Sequence, residues 1–198
     1  MILKVKVWIT LFVVTGLLII GARYVSYFPG DVAVARFVQW ITLESTAWAQ
    51  RISSTAKSPW NLFLIGVTGG LSWWLAGWRA ILLALAGFAG MWLLGKALGP
   101  IIGRPRPSPD LVHVVDKLSG YSFPSIFGMT YASTIGFLAV LFNRKASGVL
   151  RISVITFCSL LLLVGGAARV GLGAYSPSDV ILSYLVAMLW AYFLIRFA

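Results

Sequence analysis

Acidic side chains are scarce: 198 residues carry only five, against sixteen lysines and arginines, and charged residues together make up 11% of the chain. A soluble domain carries about twice that charged fraction, so a fully water-facing surface is excluded. Cysteine occurs once, at Cys158 inside an apolar run, which excludes a disulfide framework. Histidine also occurs once, at His113, and this excludes any mechanism that needs two imidazoles. No polar linker, low-complexity tract or internal repeat interrupts the sequence, so residues 1–198 read as a single domain. The net charge of +11 admits nucleic acid as a partner. The basic residues, however, stand in short loops between apolar runs, where anionic lipid headgroups suit them better, and nucleic acid is not expected.

What remains is 60% apolar, with a mean hydropathy of +0.92. A membrane-spanning helix needs roughly 20 mostly apolar residues. Segments of about that length run over 5–22, 60–78, 80–98, 149–168 and 178–197. A sixth, over 124–142, is interrupted by Ser125, Thr130, Ser133 and Thr134 but carries no charge, and hydroxyls can bond back to the preceding turn. The sequence therefore predicts an all-α integral membrane protein, a bundle of six transmembrane helices. Lys4 and Lys6 stand at the start of the first span, which reads as an uncleaved anchor because Gly21-Ala22-Arg23-Tyr24 is a poor cleavage site.

Residues 30–46 differ from these spans. Val34, Phe37, Val38 and Ile41 recur at helical spacing with Asp31, Arg36, Gln39 and Glu44 between them, the pattern of an amphipathic helix lying in the interface. Trp40, Trp48, Trp60, Trp73, Trp74 and Trp78 are expected at headgroup level. Gly66 and Gly70 form a small-xxx-small spacing suited to helix packing. The loop Asn143–Arg151 holds Arg144, Lys145 and Arg151 and no acid, which places it, with both termini, in the cytoplasm of a cell whose plasma (inner) membrane holds the protein. The 99–123 loop then lies outside.

Three places put charge or a turn motif at the ends of these spans: Gly103-Arg104-Pro105-Arg106-Pro107, Tyr121-Ser122-Phe123-Pro124-Ser125, and Ala168-Arg169 followed by Tyr175-Ser176-Pro177-Ser178-Asp179. With six spans all three fall on one side of the membrane. A charge at mid-bilayer depth costs about 2.5–3.5 kcal/mol on insertion scales, so an arginine near such a position is retained by pairing. Guanidiniums facing helix N-termini make an anion site, because the fork of donors matches phosphate oxygens and free backbone N–H groups add positive potential. Arg104, Arg106, Ser125 and Arg169 are thus the candidate phosphate-binding residues. The plainer alternative is that Arg106 and Arg169 reach headgroups or pair with Asp179 and Asp110. Asp110, His113 and Asp116 share one loop without helical spacing, and neither a metal nor a cofactor is expected there.

In this order the three segments resemble the signatures K-x6-R-P, P-S-G-H and S-R-x5-H-x3-D of the type 2 phosphatidic acid phosphatase superfamily, over roughly residues 60–190. The resemblance implies a helical membrane fold and a lipid phosphate substrate. In the family the third-signature histidine attacks phosphorus, the aspartate orients it, and the second-signature histidine protonates the leaving oxygen. The corresponding positions here are Tyr175, Asp179 and Phe127. Gly99 stands where the lysine belongs, with Lys96 one turn away, Ile126 replaces the glycine of the second signature, and Ala168 replaces the serine before Arg169. Phenylalanine donates no proton, and a phenol of unperturbed pKa near 10 is a poor nucleophile at neutral pH.

The resemblance therefore implies a catalytically degenerate member that binds a lipid phosphate headgroup or acts as a subunit or scaffold in a membrane complex. One alternative is an active lipid phosphate or isoprenyl diphosphate phosphatase using Asp179, Tyr175 or His113. Another is a purely structural membrane subunit, which would show its arginines already satisfied by the protein's own carboxylates.

Overall fold

The computed structural model describes residues 5–42 and 46–197. Among the described residues there is no strand. The helices are α1 (Val5–Gly21), α2 (Asp31–Thr42), α3 (Ala47–Ser54), α4 (Trp60–Ala76), α5 (Trp78–Ile102), α6 (Ile126–Tyr131), α7 (Phe137–Lys145), α8 (Gly148–Gly171) and α9 (Pro177–Leu194). A π-turn over Ala132–Gly136 joins α6 and α7 into one continuous rod.

Glycine and proline set the breaks. Gly77 takes φ +79, so α4 ends there and α5 restarts at Trp78. Gly103, at φ +68, closes α5 in the left-handed conformation that commonly ends helices. Pro177 occupies the first turn of α9, where its missing N–H leaves no intrahelical bond unmade.

Among the described residues, four helices are long and apolar enough to cross a membrane: Trp78–Ile102, Ile126–Lys145, Gly148–Gly171 and Pro177–Phe197. α1 and α4 have 17 residues each. At 1.5 Å per residue that is about 26 Å, slightly less than a hydrocarbon core of about 30 Å. Their outward faces are nonetheless apolar, with Leu17 at 63% and Phe63 at 65% exposure.

The rod of α6, π-turn and α7 stands at the centre and touches α4, α5, α8 and α9. Its interior position explains its hydroxyls. Ser133 and Thr134 donate back to the Thr130 carbonyl at 3.2 and 2.7 Å, which hides their polarity within the helix itself. α8 instead presents Ile152, Phe157, Leu160 and Leu163 outward, as a helix bathed in lipid does.

α2 is inverted relative to a helix on a soluble protein. Val34, Phe37, Trp40 and Ile41 point away from the protein, while Asp31, Ala35 and Gln39, spaced by four, are buried against it. A lipid environment rewards that orientation, because the polar stripe finds partners only in the protein. The interfacial segment read over 30–46 ends as a helix at Thr42, and 43–45 lie outside the described residues.

The chain then forms α3, an eight-residue helix not anticipated from the sequence, whose Ala49 and Ser53 face α8. Trp40, Trp60, Trp73, Trp74 and Trp78 are exposed as expected of interface anchors. Trp48 instead packs against the cluster of Ala49, Ala168 and Leu172. Gly66 and Gly70 face outward on α4 with nothing within 4 Å of where a Cβ would stand, so among the described residues no helix packs on them.

Candidate functional site

The three motif segments converge at one end of the bundle, where α5 ends and α6 and α9 begin. Each side chain is placed by a helix terminus. Ser125 caps α6: its Oγ accepts from the Gly128 amide at 3.1 Å, and its own amide donates to Ser183 Oγ at 2.9 Å. Asp179 sits in the first turn of α9 and reaches back to accept from the Ser176 amide at 3.1 Å, one arm of a capping box. Its carboxylate also accepts from Ser122 Oγ and from Arg104 Nη1.

Arg104 is the hub. It is 1% exposed and bridges two carboxylates, Asp179 through Nη1 and Asp31 through Nη2, the latter at 3.0 Å. Nη1 also donates to Ser178 Oγ at 2.8 Å, and the Phe28 ring covers the guanidinium with its centroid 4.9 Å away. Asp31 is saturated in turn. It accepts from the Phe28 and Ser178 amides at 2.8 and 2.9 Å, and from Ser178 Oγ at 2.7 Å. This network ties the start of α2 to the start of α9. It commits Arg104 and Asp179 to each other, so Asp179 is not turned toward Tyr175.

Arg106 and Arg169 both approach the Tyr175 ring, their guanidinium carbons 4.8 and 5.0 Å from its centroid. Both distances suit cation–π contact. Arg106 donates to carbonyl oxygens, Ala174 at 2.7 Å and Ser119 at 3.1 and 3.3 Å. Arg169 is 2% exposed and donates to Ser53 Oγ and, at 3.0 Å, to Asp116 Oδ2. Phe127 stacks on Tyr131 with centroids 4.1 Å apart, and Arg169 stands 5.7 Å from the Phe127 ring. Of the pairings weighed from the sequence, Asp179 does bind an arginine, but it is Arg104. Arg169 takes Asp116 rather than Asp110, whose carboxylate accepts from Ser108 Oγ at 3.1 Å.

The 103–125 loop is laid over this end of the bundle. Gln39 of α2 clasps its middle, accepting from the His113 amide at 3.0 Å and donating to the carbonyls of His113 and Gly171 at 2.6 and 3.3 Å. The amides of Val115 and Asp116 donate to the Leu172 carbonyl at 3.0 and 3.1 Å. His113 thus contributes its backbone, and its side chain is exposed. Gly173, at φ +65, lies directly beneath, where a Cβ would come within 2.3 Å of the His113 oxygen. The cavity beside Tyr175 measures about 10 Å³, room for one water at most.

Chemically, the network gathers three guanidiniums (Arg104, Arg106, Arg169) and three carboxylates (Asp31, Asp116, Asp179), of which Arg104 and Arg169 form the ion pairs. Contributors outside the three motif segments include Asp31 and Gln39, which looked like the polar face of an interfacial helix, together with Ser53 and Asp116.

The sequence model of the PAP2 superfamily matches residues 64–198. The fold is similar to the crystal structure of a transmembrane PAP2-type phosphatidylglycerolphosphate phosphatase from Bacillus subtilis. That likeness has a TM-score of 0.76 at 22% identity and covers 96% of this chain and 94% of that one. No curated protein matches the sequence. With residues 64–198 matched, and the three signature segments gathered at one end of a shared helical fold, the chain belongs to the PAP2 superfamily.

Proposed function

We propose that this is a catalytically degenerate member of the superfamily, a non-enzymatic subunit or scaffold in a membrane whose former phosphate site has become an internal lock. One observation carries the reading. Arg104 is buried between Asp31 and Asp179, so the aspartate that would orient a nucleophile is held by one of the candidate phosphate-binding arginines. Phe127 and Tyr175 at the family's histidine positions point the same way. A phosphoryl group needs several charge-assisted bonds and a nucleophile within reach, and both are pre-empted here by the protein's own groups.

A second reading, in which the site holds a lipid phosphate headgroup without hydrolysing it, is favoured by Arg106. It donates to neutral carbonyls and is only partly buried. The two readings separate on glycerol 3-phosphate, a headgroup without chains, titrated into the detergent-solubilised protein. The lock reading expects no saturable binding, with Arg106→Gln and Arg169→Gln indistinguishable from the distant Arg196→Gln. Headgroup binding instead requires saturation that each of the first two variants weakens by about ten- to hundredfold, the loss of a charge-assisted bond of roughly 1.5–3 kcal/mol.

The same proposal places six spans in the plasma (inner) membrane with both termini cytoplasmic. It rests on Arg144 and Lys145 in the last turn of α7 and Arg151 in the first turn of α8, at the end of the bundle away from the site. In a Cys158→Ser background, Ser108→Cys should react with a membrane-impermeant maleimide in intact cells and Ala146→Cys should not. The reverse pattern would invert the orientation.

A further inference from the structure

A second cavity, of about 450 Å³, opens between α1, α5 and α9, and it is lined almost wholly by apolar side chains. Phe12, Gly16 and Ile19 of α1 line one side, at the three- and four-residue spacing that keeps them on one helical face. Met91, Leu94 and Leu98 line the facing side of α5 at the same spacing. Around Trp8 the groove is closed: the indole donates to the Leu189 carbonyl at 3.1 Å, stacks on Phe12 at 5.3 Å and meets Phe193 at 6.3 Å.

The other end carries a cation. Arg23 follows Ile19 by four residues and donates to the carbonyl of Ile101, which follows Leu98 by three, so the guanidinium bridges both walls about one turn beyond the groove. It is exposed. The packed cluster of Ala22, Ile102, Phe123 and Leu182 adjoins Leu98 and separates this groove from the Arg104 network.

We propose that the groove seats a resident phosphate-bearing lipid, one hydrocarbon chain lying between α1, α5 and α9 with its end at Trp8 and its phosphate on Arg23. The size is that of an ordinary small-ligand pocket. Water entering it would find apolar walls and almost no hydrogen-bond partner. Left empty, it would forfeit dispersion contacts along three helices. Lipid chains are the surrounding solvent at this depth, and the exposed guanidinium at the open end fixes which way round such a molecule lies, because its fork of donors matches phosphate oxygens. The proposal is independent of the reading of the family site.

The groove can be filled from within. A Cβ at Gly16 meets nothing within 4 Å, so Gly16→Phe projects its ring into the space, and Leu94→Trp fills it from the opposite wall. Gly66→Phe, equally free of neighbours but on the outer face of α4, is the control. Native mass spectrometry of the purified full chain, with dioleoyl phosphatidate as probe and dioleoylglycerol as its phosphate-free counterpart, reads the result. Wild type and Gly66→Phe should hold one phosphatidate, and both filling variants should lose it at least tenfold.

Arg23→Gln should weaken phosphatidate about tenfold and leave dioleoylglycerol unchanged, while Arg151→Gln, exposed on α8 and away from the groove, changes neither. Three outcomes would overturn the proposal. The filling variants could retain phosphatidate like wild type. Arg23→Gln could leave phosphatidate unaffected. A dimer mass without lipid, dispersed by Gly16→Phe, would show that a second copy occupies the groove instead.

Discussion

Asp179→Ala is expected to destabilise the protein by about 3–5 kcal/mol, the usual result of leaving a buried charge without one of its partners. Arg104 would keep Asp31 at 3.0 Å but lose the carboxylate on its other nitrogen, and Ser122 Oγ and the Ser176 amide would lose their acceptor. The start of α9 would loosen as well, because Asp179 completes its cap.

A double-mutant cycle distinguishes this from generic damage. Arg104→Met should cost less in the Asp179→Ala background than in the wild type, because it then strips the guanidinium from Asp31 alone rather than from both carboxylates. Equilibrium unfolding in detergent measures all four corners. Purely additive losses would mean that the pair is not the tie that joins α2 to α9.

The second large effect is expected at Gly173. Its φ of +65 favours glycine, and a methyl there would stand 2.3 Å from the His113 oxygen and 2.8 Å from Val114 Cα, both backbone atoms. Left-handed geometry costs a non-glycine residue about 1–2 kcal/mol, and overpacking typically adds about 1–3. The loop is the part able to yield. Gly173→Ala should lift residues 112–116, breaking the bonds from Val115 and Asp116 to the Leu172 carbonyl and drawing Asp116 off Arg169. Amide exchange at Val115 and Asp116 should accelerate by roughly tenfold or more, since each 1.4 kcal/mol of lost protection is a factor of ten. Unchanged exchange at those two amides would show that the loop is not seated on Gly173.

Much of this architecture was legible in the sequence because a bilayer imposes strong rules. Long apolar runs give spans, and glycine and proline punctuate them at Gly77, Gly103 and Pro177. The central rod was legible despite its hydroxyls, because serine and threonine can satisfy themselves against the preceding turn. The eight-residue α3 was not, since so short a segment carries little periodicity and owes its helix to packing on α8.

At the site, the order of the three motifs and the substitutions at Phe127 and Tyr175 are plain from the residues alone. Which arginine meets which acid is not. Arg104 joins Asp31 across 73 residues, and Ser178 joins Asp31 across 147. Such pairings leave no trace in local spacing. Arg104 and Arg106 differ by two positions, yet one is buried between carboxylates and the other rests on carbonyls and an aromatic ring. The scarcity of acids was the available clue: three of the five carboxylates bind buried or half-buried arginines at one end of the bundle.

Phosphate release by the purified full-length protein tests the central claim most directly. Phosphatidate, phosphatidylglycerolphosphate and isoprenyl diphosphates would be supplied in mixed micelles, beside a mock preparation from cells lacking the protein. The account predicts no release above the mock for any substrate, because Tyr175 and Phe127 stand where the family signatures have histidine and Asp179 is held by Arg104. Turnover that is robust in the wild type and abolished in Asp179→Asn would contradict it.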